Sequence, residues 1–159
     1  MKMLMASAAA LLLSLAAPAV AEKPAMDALS RMFLWWDQAF RTPGAYMPEA
    51  FSQFFTPDAT LTLEGRQVIS GLDQWAAHFR KIQAGGGEVE IVVPFKQVFE
   101  KDGMIYTYHV IRSRRDGTVA CSLAAGHAVL RGGKIAAITL VRIPLDPEKA
   151  ALEPQCWKA

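Results

Sequence analysis

The chain has 159 residues, 52% of them hydrophobic, and its 17 basic residues nearly balance 15 acidic ones. This length is typical of one compact domain with its own core. The near-neutral charge argues against a nucleic-acid-binding protein, because phosphate backbones require a concentrated basic field.

The N-terminal segment, residues 1–21, has the pattern of a secretory signal peptide. Lys2 gives a positive start, residues 4–17 are apolar, and the segment ends in a small-x-small cleavage site at Ala21. The apolar run is shorter than the roughly 20 residues of a membrane-spanning helix, so no stable membrane anchor is expected. The sequence predicts cleavage near Ala21 and a secreted or periplasmic mature protein.

The mature chain is predicted to form one α+β domain over residues 22–144 and an irregular tail over residues 145–159. Apolar residues at helical spacing predict three helices, over residues 27–40, 48–55 and 72–84. Alternating apolar residues and Gly-containing turns predict the strands, which cover residues 59–64, 89–99, 105–113, 119–130 and 135–143. Long antiparallel strands must bend, and a bent sheet closed by helices encloses a cone whose mouth can hold a pocket.

Two short motifs give this order of elements a family resemblance. The segment Phe-Thr-Pro-Asp-Ala-Thr-Leu at 55–61 resembles the F-x-x-D-A-x-hydrophobic element of the nuclear-transport-factor-2-like superfamily, and Gly-Gly-Lys-Ile at 132–135 resembles its G-K-I turn. The whole pattern is similar to the SnoaL-like branch. The resemblance implies a cone-shaped curved sheet around an apolar pocket, often in a homodimer that pairs through the outer sheet face. It implies no single activity, because this fold hosts several.

The steroid isomerases of this superfamily use two acidic residues and an oxyanion tyrosine. Their general base matches Leu63, their second acid matches Gly126 or His127, and their tyrosine matches Trp35 or Trp36. None of these residues can fill the corresponding role. The isomerase mechanism is therefore not expected.

The turn at Asp116-Gly117 decides which histidine faces the interior. A two-residue turn places His109 opposite Ala124, and it places Thr107 opposite Gly126. The resemblance puts the face that carries His109, Ala124 and Gly126 inside the cone and His127 outside it. The small residues on this inner face would leave a hole. A three-residue turn would reverse the two histidines.

The candidate catalytic residues are His109 or His127 as a general base, assisted by Asp37 or Asp58. Each also has a structural interpretation. The imidazole can bond a backbone carbonyl, Asp37 can be a solvated helix carboxylate, and Asp58 can close the turn before its strand.

The candidate ligand-binding residues are large side chains around the predicted pocket, small or polar residues on its wall, and an arginine at its mouth that would attract an acidic group. They are Trp36, Phe40, Phe55, Leu63, Trp75, Phe79, Thr107, Ala124, Gly126 and Arg142. The histidines are scattered and no nucleotide-binding loop occurs in the sequence, so neither a metal nor a cofactor is expected. Cys121 and Cys156 are either a disulfide or two thiols.

Three functions remain open on the sequence. The leading hypothesis is an exported protein that binds a small apolar or amphipathic molecule without a cofactor. The second is a cofactor-independent lyase, hydratase or isomerase with a pocket histidine as its base. The third is an interaction module that dimerises or docks through the outer sheet face near Tyr106, Tyr108 and Leu123.

Overall fold

The computed structural model describes residues 26–146, 148–149, 151 and 153–158. The predicted signal peptide lies outside these residues. Within them, no helix is both long and apolar enough to cross a membrane. The described elements, in chain order, are α1 (Ala28–Phe40), α2 (Pro48–Phe51), β1 (Phe55–Leu63), β2 (Arg66–Ser70), α3 (Leu72–Ala84), β3 (Glu88–Ile91), β4 (Gln97–Lys101), β5 (Met104–Arg115), β6 (Thr118–Arg131) and β7 (Lys134–Pro144).

The strands form one sheet that curls around the helices. The strand order is β2-β1-β7-β6-β5-β3, and β4 pairs with another stretch of β5. The predicted α+β cone is confirmed, with one correction to its topology. The pairing of β1 with β7 is parallel, whereas the other pairings are antiparallel.

The two long helices begin and end close to the predicted residues. Asp27 precedes α1 and its Oδ1 accepts the backbone N–H of Ser30 at 2.8 Å, which satisfies a donor that the helix itself leaves unpaired. Helix α3 covers the predicted range, from Leu72 to Ala84. Both helices bury an apolar stripe against the concave face of the sheet.

The short helix ends earlier than its aromatic spacing suggests. It stops at Phe51, and Phe55 begins β1 by pairing with Ile135 of β7. The backbone N–H of Ile135 also donates to the carbonyl of Phe54 at 2.8 Å. Residues 52–54 therefore form a turn, and pairing with β7 extends the chain from Phe55 onward.

Strand β2 is absent from the predicted elements, and the strand predicted over residues 89–99 is two strands. Strand β2 is joined to β1 by a tight turn at Glu64 and Gly65, whose φ angles are 48° and 79°. Between β3 and β4, Pro94 has no N–H to contribute to a ladder. The chain leaves the sheet there and returns to pair with β5 nearer its start.

The hairpin of β5 and β6 has the predicted register. Asp116 and Gly117 form a two-residue turn with φ angles of 48° and 76°. His109 lies opposite Ala124, and Thr107 lies opposite Gly126. This register places His109 on the concave face and His127 on the outer face of the sheet.

The row of small residues on β6 does not open a hole, which corrects the expectation from sequence. Ala124 and Ala128 are fully buried in the main core. At Gly126, a Cβ atom would lie 2.1 Å from the carbonyl oxygen of Thr139 and 2.8 Å from Cα of Leu140. The small side chains allow close packing, and at Gly126 this is a close approach of the β7 backbone.

The C-terminal tail is attached to the outer face of the sheet. Cys121 and Cys156 form a disulfide with a Cα–Cα distance of 5.7 Å. Nη1 of Arg112 donates to the carbonyl of Gln155 at 2.8 Å. The guanidinium groups of Arg112 and Arg114 lie 4.9 and 4.8 Å from the Trp157 ring centroid. Together these contacts fasten residues 153–158 over one end of the outer face.

Candidate functional site

A cavity of about 200 Å³ lies on the concave side of the sheet, between α1, α3 and strands β1, β3, β5 and β7. Most of its wall is aliphatic or aromatic. The lining residues are Phe33, Trp36, Leu61, Leu63, Trp75, His78, Phe79, Ile82, Val89, Ile91, His109, Ile111, Ile138, Leu140 and Arg142.

His109 is the buried ionisable residue of this wall. Its side chain is 2% exposed, and its ring centroid lies 5.2 Å from that of Phe95 and 6.3 Å from that of Phe33. Among the described residues, neither ring nitrogen has a hydrogen-bond partner. Burial lowers the pKa of His109 to about 4, so the imidazole is neutral at physiological pH.

Trp36 is a second residue of the wall with an unpartnered polar group among the described residues. Its indole Nε1 is buried and donates to no acceptor within the described part of the chain. Buried polar groups are nearly always paired, and an unpaired one calls for an explanation. Here two such groups belong to residues that line the same cavity.

Arg142 lies at the edge of the cavity, and its charge is compensated. Its Nε donates to Oε1 of Glu64 at 2.8 Å, and its Nη2 donates to Oε2 at 3.3 Å. This pairing with Arg142 lowers the pKa of Glu64. The predicted attraction of an acidic ligand by Arg142 is therefore offset by its own carboxylate partner.

Asp37 does not reach His109. It is not among the residues that line the cavity, and no hydrogen bond joins it to His109, whose ring nitrogens have no partner among the described residues. The pKa of Asp37 is raised to about 7, mainly by burial and also by the Glu90 carboxylate, against the lowering effect of Arg41 and Arg112. Its Oδ1 is buried and has no partner among the described residues.

The other two candidate catalytic residues lie outside the cavity. Asp58 is exposed, accepts a hydrogen bond from Oγ1 of Thr56 at 2.8 Å, and pairs with Arg131. The hydrogen bond from Thr56 is the main cause of its lowered pKa. His127 lies on the outer face, 5.8 Å from the Tyr106 ring, in a groove of about 420 Å³. Neither is placed to act with His109.

Half of the predicted ligand-binding residues line the cavity, namely Trp36, Leu63, Trp75, Phe79 and Arg142. The others do not, because Phe40, Phe55 and Ala124 pack in the core, whereas Thr107 and Gly126 border the outer groove.

The sequence analysis missed cavity residues on β3, β5 and α3. They include Val89, Ile91 and Ile111, which share the face of His109 by alternation along paired strands. Ile82 and His78 complete the side of α3 that faces the cavity. Within the described residues, no three His, Cys, Asp or Glu side chains come together as a metal site.

Several solved structures share this fold at low sequence identity. One is a hypothetical protein from Catenulispora acidiphila with a ketosteroid isomerase-like fold, solved in complex with trimethylamine. Its TM-score is 0.55 at 17% identity, and the match covers 72% of this chain and 85% of that one. Another is a nuclear-transport-factor-2-like protein of unknown function from an Exiguobacterium species, with a TM-score of 0.57 and 22% identity. That match covers 75% of this chain and 98% of the other.

A third similar structure, from a Jannaschia species, is assigned as a SnoaL-like polyketide cyclase. Its TM-score is 0.52 at 12% identity, and the match covers 76% of this chain and 90% of that one. No family model matches the sequence, and no curated protein matches it either. The predicted resemblance is confirmed for the fold: this chain has the cone fold of the nuclear-transport-factor-2-like superfamily.

Proposed function

We propose that the protein binds a small, mainly apolar molecule with one hydrogen-bonding group inside the cone, without a cofactor. The observation that carries this proposal is an apolar cavity whose wall includes two residues with unpartnered buried polar groups, within the described part of the chain. Leaving a buried polar group unpaired costs about 1–3 kcal/mol. A ligand hydroxyl or carbonyl group would supply partners to Trp36 and His109.

The cavity volume limits the size of the ligand. A cavity of about 150 Å³ in another protein binds benzene, and this one is only slightly larger at about 200 Å³. A single ring or a short branched chain would fit. The structure of the same fold that was solved with trimethylamine is in keeping with a small-molecule ligand.

Binding is favoured over acid–base catalysis by the surroundings of His109. A general base works best when its pKa is near the operating pH, and burial holds the pKa of His109 at about 4. No carboxylate of the described residues bonds to its ring to counter this shift. A lyase, hydratase or isomerase activity therefore remains the alternative hypothesis.

The proposal is tested by calorimetric titration with benzyl alcohol and with toluene, which has the same ring but lacks the hydroxyl group. We expect both to bind and benzyl alcohol to bind about fivefold tighter, from one added hydrogen bond of about 1 kcal/mol. The Ile111→Trp variant fills the cavity and should abolish binding. The Val68→Trp variant adds the same ring on exposed β2 and should leave binding unchanged.

A thermal unfolding transition in each variant establishes that it is folded. Absence of binding by the folded wild-type protein would refute the proposal. Unchanged binding by a folded Ile111→Trp variant would also refute it, because the ligand would then lie elsewhere.

We also propose that the protein acts after export, with residues 1–21 removed. The signal-like N-terminus supports this location, and so does the disulfide, because such bonds persist in oxidising compartments. The intact mass of protein expressed from the full sequence in a bacterial host tests both points. A periplasmic product that begins near Glu22 and lacks two hydrogens would support the proposal, whereas an uncleaved cytoplasmic product would contradict it.

Self-association is proposed for the outer sheet face. Phe99, Val141 and Ile143 are 59%, 53% and 64% exposed there, and Phe99 stacks on Tyr106 at 4.9 Å. A second copy of the chain would cover these exposed apolar side chains. Sedimentation analysis should show a dimer that Val141→Glu dissociates and the control Val68→Glu does not. A wild-type monomer at the highest soluble concentration would refute the proposal.

A further inference from the structure

A second hollow adjoins the ligand cavity at the C-terminal end of α3. This hollow, here termed the vestibule, is open, has a volume of about 690 Å³, and is bordered by Lys81, Arg115 and Asp116. It shares His78 and Ile82 with the wall of the cavity. A molecule whose apolar part occupies the cavity could therefore extend past these two side chains into the vestibule.

The vestibule carries more positive than negative charge. Lys81 and Arg115 contribute two cations and Asp116 one carboxylate. Within the described residues, no carboxylate lies within 4.0 Å of the charged nitrogens of Lys81 or Arg115. Arg142, which borders the cavity but not the vestibule, is in contrast paired with Glu64. An anionic group would therefore be attracted to the vestibule rather than to Arg142.

The Arg115 side chain lies close to two glycines. A Cβ atom at Gly85 would lie 3.3 Å from Nη2 of Arg115, and one at Gly87 would lie 3.3 Å from its Nε. The guanidinium group thus lies against backbone that carries no side chain. Arg115 also continues the alternation of β5 that places His109 and Ile111 on the concave face.

His78 lies at the boundary between the two hollows, and its pKa responds to the charges near it. Burial lowers its pKa, and the Lys81 ammonium group lowers it further. A carboxylate bound beside Lys81 would act in the opposite direction and favour the imidazolium form. His78 would then become a third cation facing the bound anion.

We infer that the ligand is a small organic acid, with its apolar part and its hydrogen-bonding group in the cavity and its carboxylate in the vestibule beside Lys81 and Arg115. This inference rests on the proposed function and adds the class of the ligand. The anion is thereby placed on the α3 side of the cavity mouth, whereas the sequence analysis predicts it beside Arg142.

The test compares 4-phenylbutyrate with 4-phenylbutanol, which has the same ring and chain but no charge. Calorimetry at low salt should show the acid binding at least threefold tighter, because two partly exposed ion pairs contribute modestly. The preference should disappear in the double variant Lys81→Gln/Arg115→Gln. It should persist in Lys101→Gln/Arg66→Gln, a control that removes two cations at exposed positions outside both hollows.

NMR titration of the histidine rings gives an independent readout. The acid should raise the pKa of His78, and the alcohol should leave it unchanged. Equal affinity for acid and alcohol, or a preference that survives in the folded double variant, would overturn this inference while leaving the proposed function intact. Failure of both compounds, together with benzyl alcohol, to bind would overturn both.

Discussion

His109 and Asp37 are ionisable side chains whose pKa values burial moves in opposite directions. The pKa of His109 falls from 6.5 to about 4, and that of Asp37 rises from 3.8 to about 7. Both shifts favour the neutral form in the folded protein. The unfolded chain binds more protons at His109 between pH 4 and 6.5, whereas the folded protein binds more at Asp37 between pH 4 and 7.

These two residues therefore give stability opposite dependences on pH. The His109 contribution to the free energy of unfolding is lost as the pH falls from 6.5 to 4, by at most about 3 kcal/mol. The Asp37 contribution is present below pH 4 and is lost as the pH rises to 7. The two effects partly cancel in the wild-type protein.

Single variants should separate the two effects. The wild-type protein loses stability from pH 4 to 7 as the buried Asp37 carboxyl ionises. Relative to wild type, Asp37→Asn should therefore gain stability progressively over this range, because an amide does not ionise. His109→Phe should show its largest relative gain at pH 4, because no proton is then lost on folding. Urea unfolding across this pH range measures both differences. Profiles parallel to wild type would show that neither side chain titrates as described.

At the level of the elements, local sequence patterns predicted the two long helices and the central hairpin. Helices α1 and α3 each bury a stripe that recurs at helical spacing. The Asp116-Gly117 turn fixes the register of β5 and β6, and through it the inward position of His109. These features depend on residues close together in sequence, so they could be predicted.

The errors concern elements that pairing partners decide. Strand β2 buries only Ile69 among its five residues, so it has little apolar alternation to detect. Phe54 and Phe55 have helical spacing with Phe51, yet Phe54 lies in a turn and Phe55 begins a strand, because β7 pairs with the chain there. In both cases the deciding contact is distant in sequence.

The close approach of the β7 backbone to β6 requires glycine at position 126. Gly126→Ala places a Cβ atom 2.1 Å from the carbonyl of Thr139, which β-sheet backbone can relieve only by moving. We expect a loss of at least about 2 kcal/mol in the free energy of unfolding, as for overpacked cores. Denaturant unfolding measures this loss.

Gly44→Asn is the control for this substitution. Gly44 has a φ of +77° and no atom within 4 Å of an added Cβ. Because asparagine tolerates this conformation, the control should cost less than about 1 kcal/mol. Equal stability of the Gly126→Ala variant and wild type would contradict the close approach of the β7 backbone.

For the whole molecule, the two faces of the sheet have different roles. The concave face holds the cavity, and the outer face holds the disulfide-linked tail. The position of the cavity could not be predicted, because it depends on how α1 and α3 lie across the sheet. Three of the ten predicted lining residues, Phe40, Phe55 and Ala124, therefore belong to the filled part of the cone.

The disulfide should stabilise the fold without affecting the cavity. Cys121 and Cys156 are 35 residues apart in sequence, so the cross-link contributes about 3–4 kcal/mol by restricting the unfolded chain. The Cys121→Ser/Cys156→Ser variant should unfold at correspondingly lower denaturant concentration. It should still bind benzyl alcohol with wild-type affinity, since the tail lies on the other face. A parallel loss of binding would contradict the separation of the two faces.

The most direct test of ligand binding in the cone is an NMR titration of the ring nitrogens of His109 with benzyl alcohol. We expect the His109 signals to move with saturation, as a hydrogen bond forms to a nitrogen that has no partner among the described residues. The signals of His127, on the outer face, should stay in place. If the alcohol binds and only His127 responds, or if His109 stays unchanged at saturation, the cavity is not the binding site.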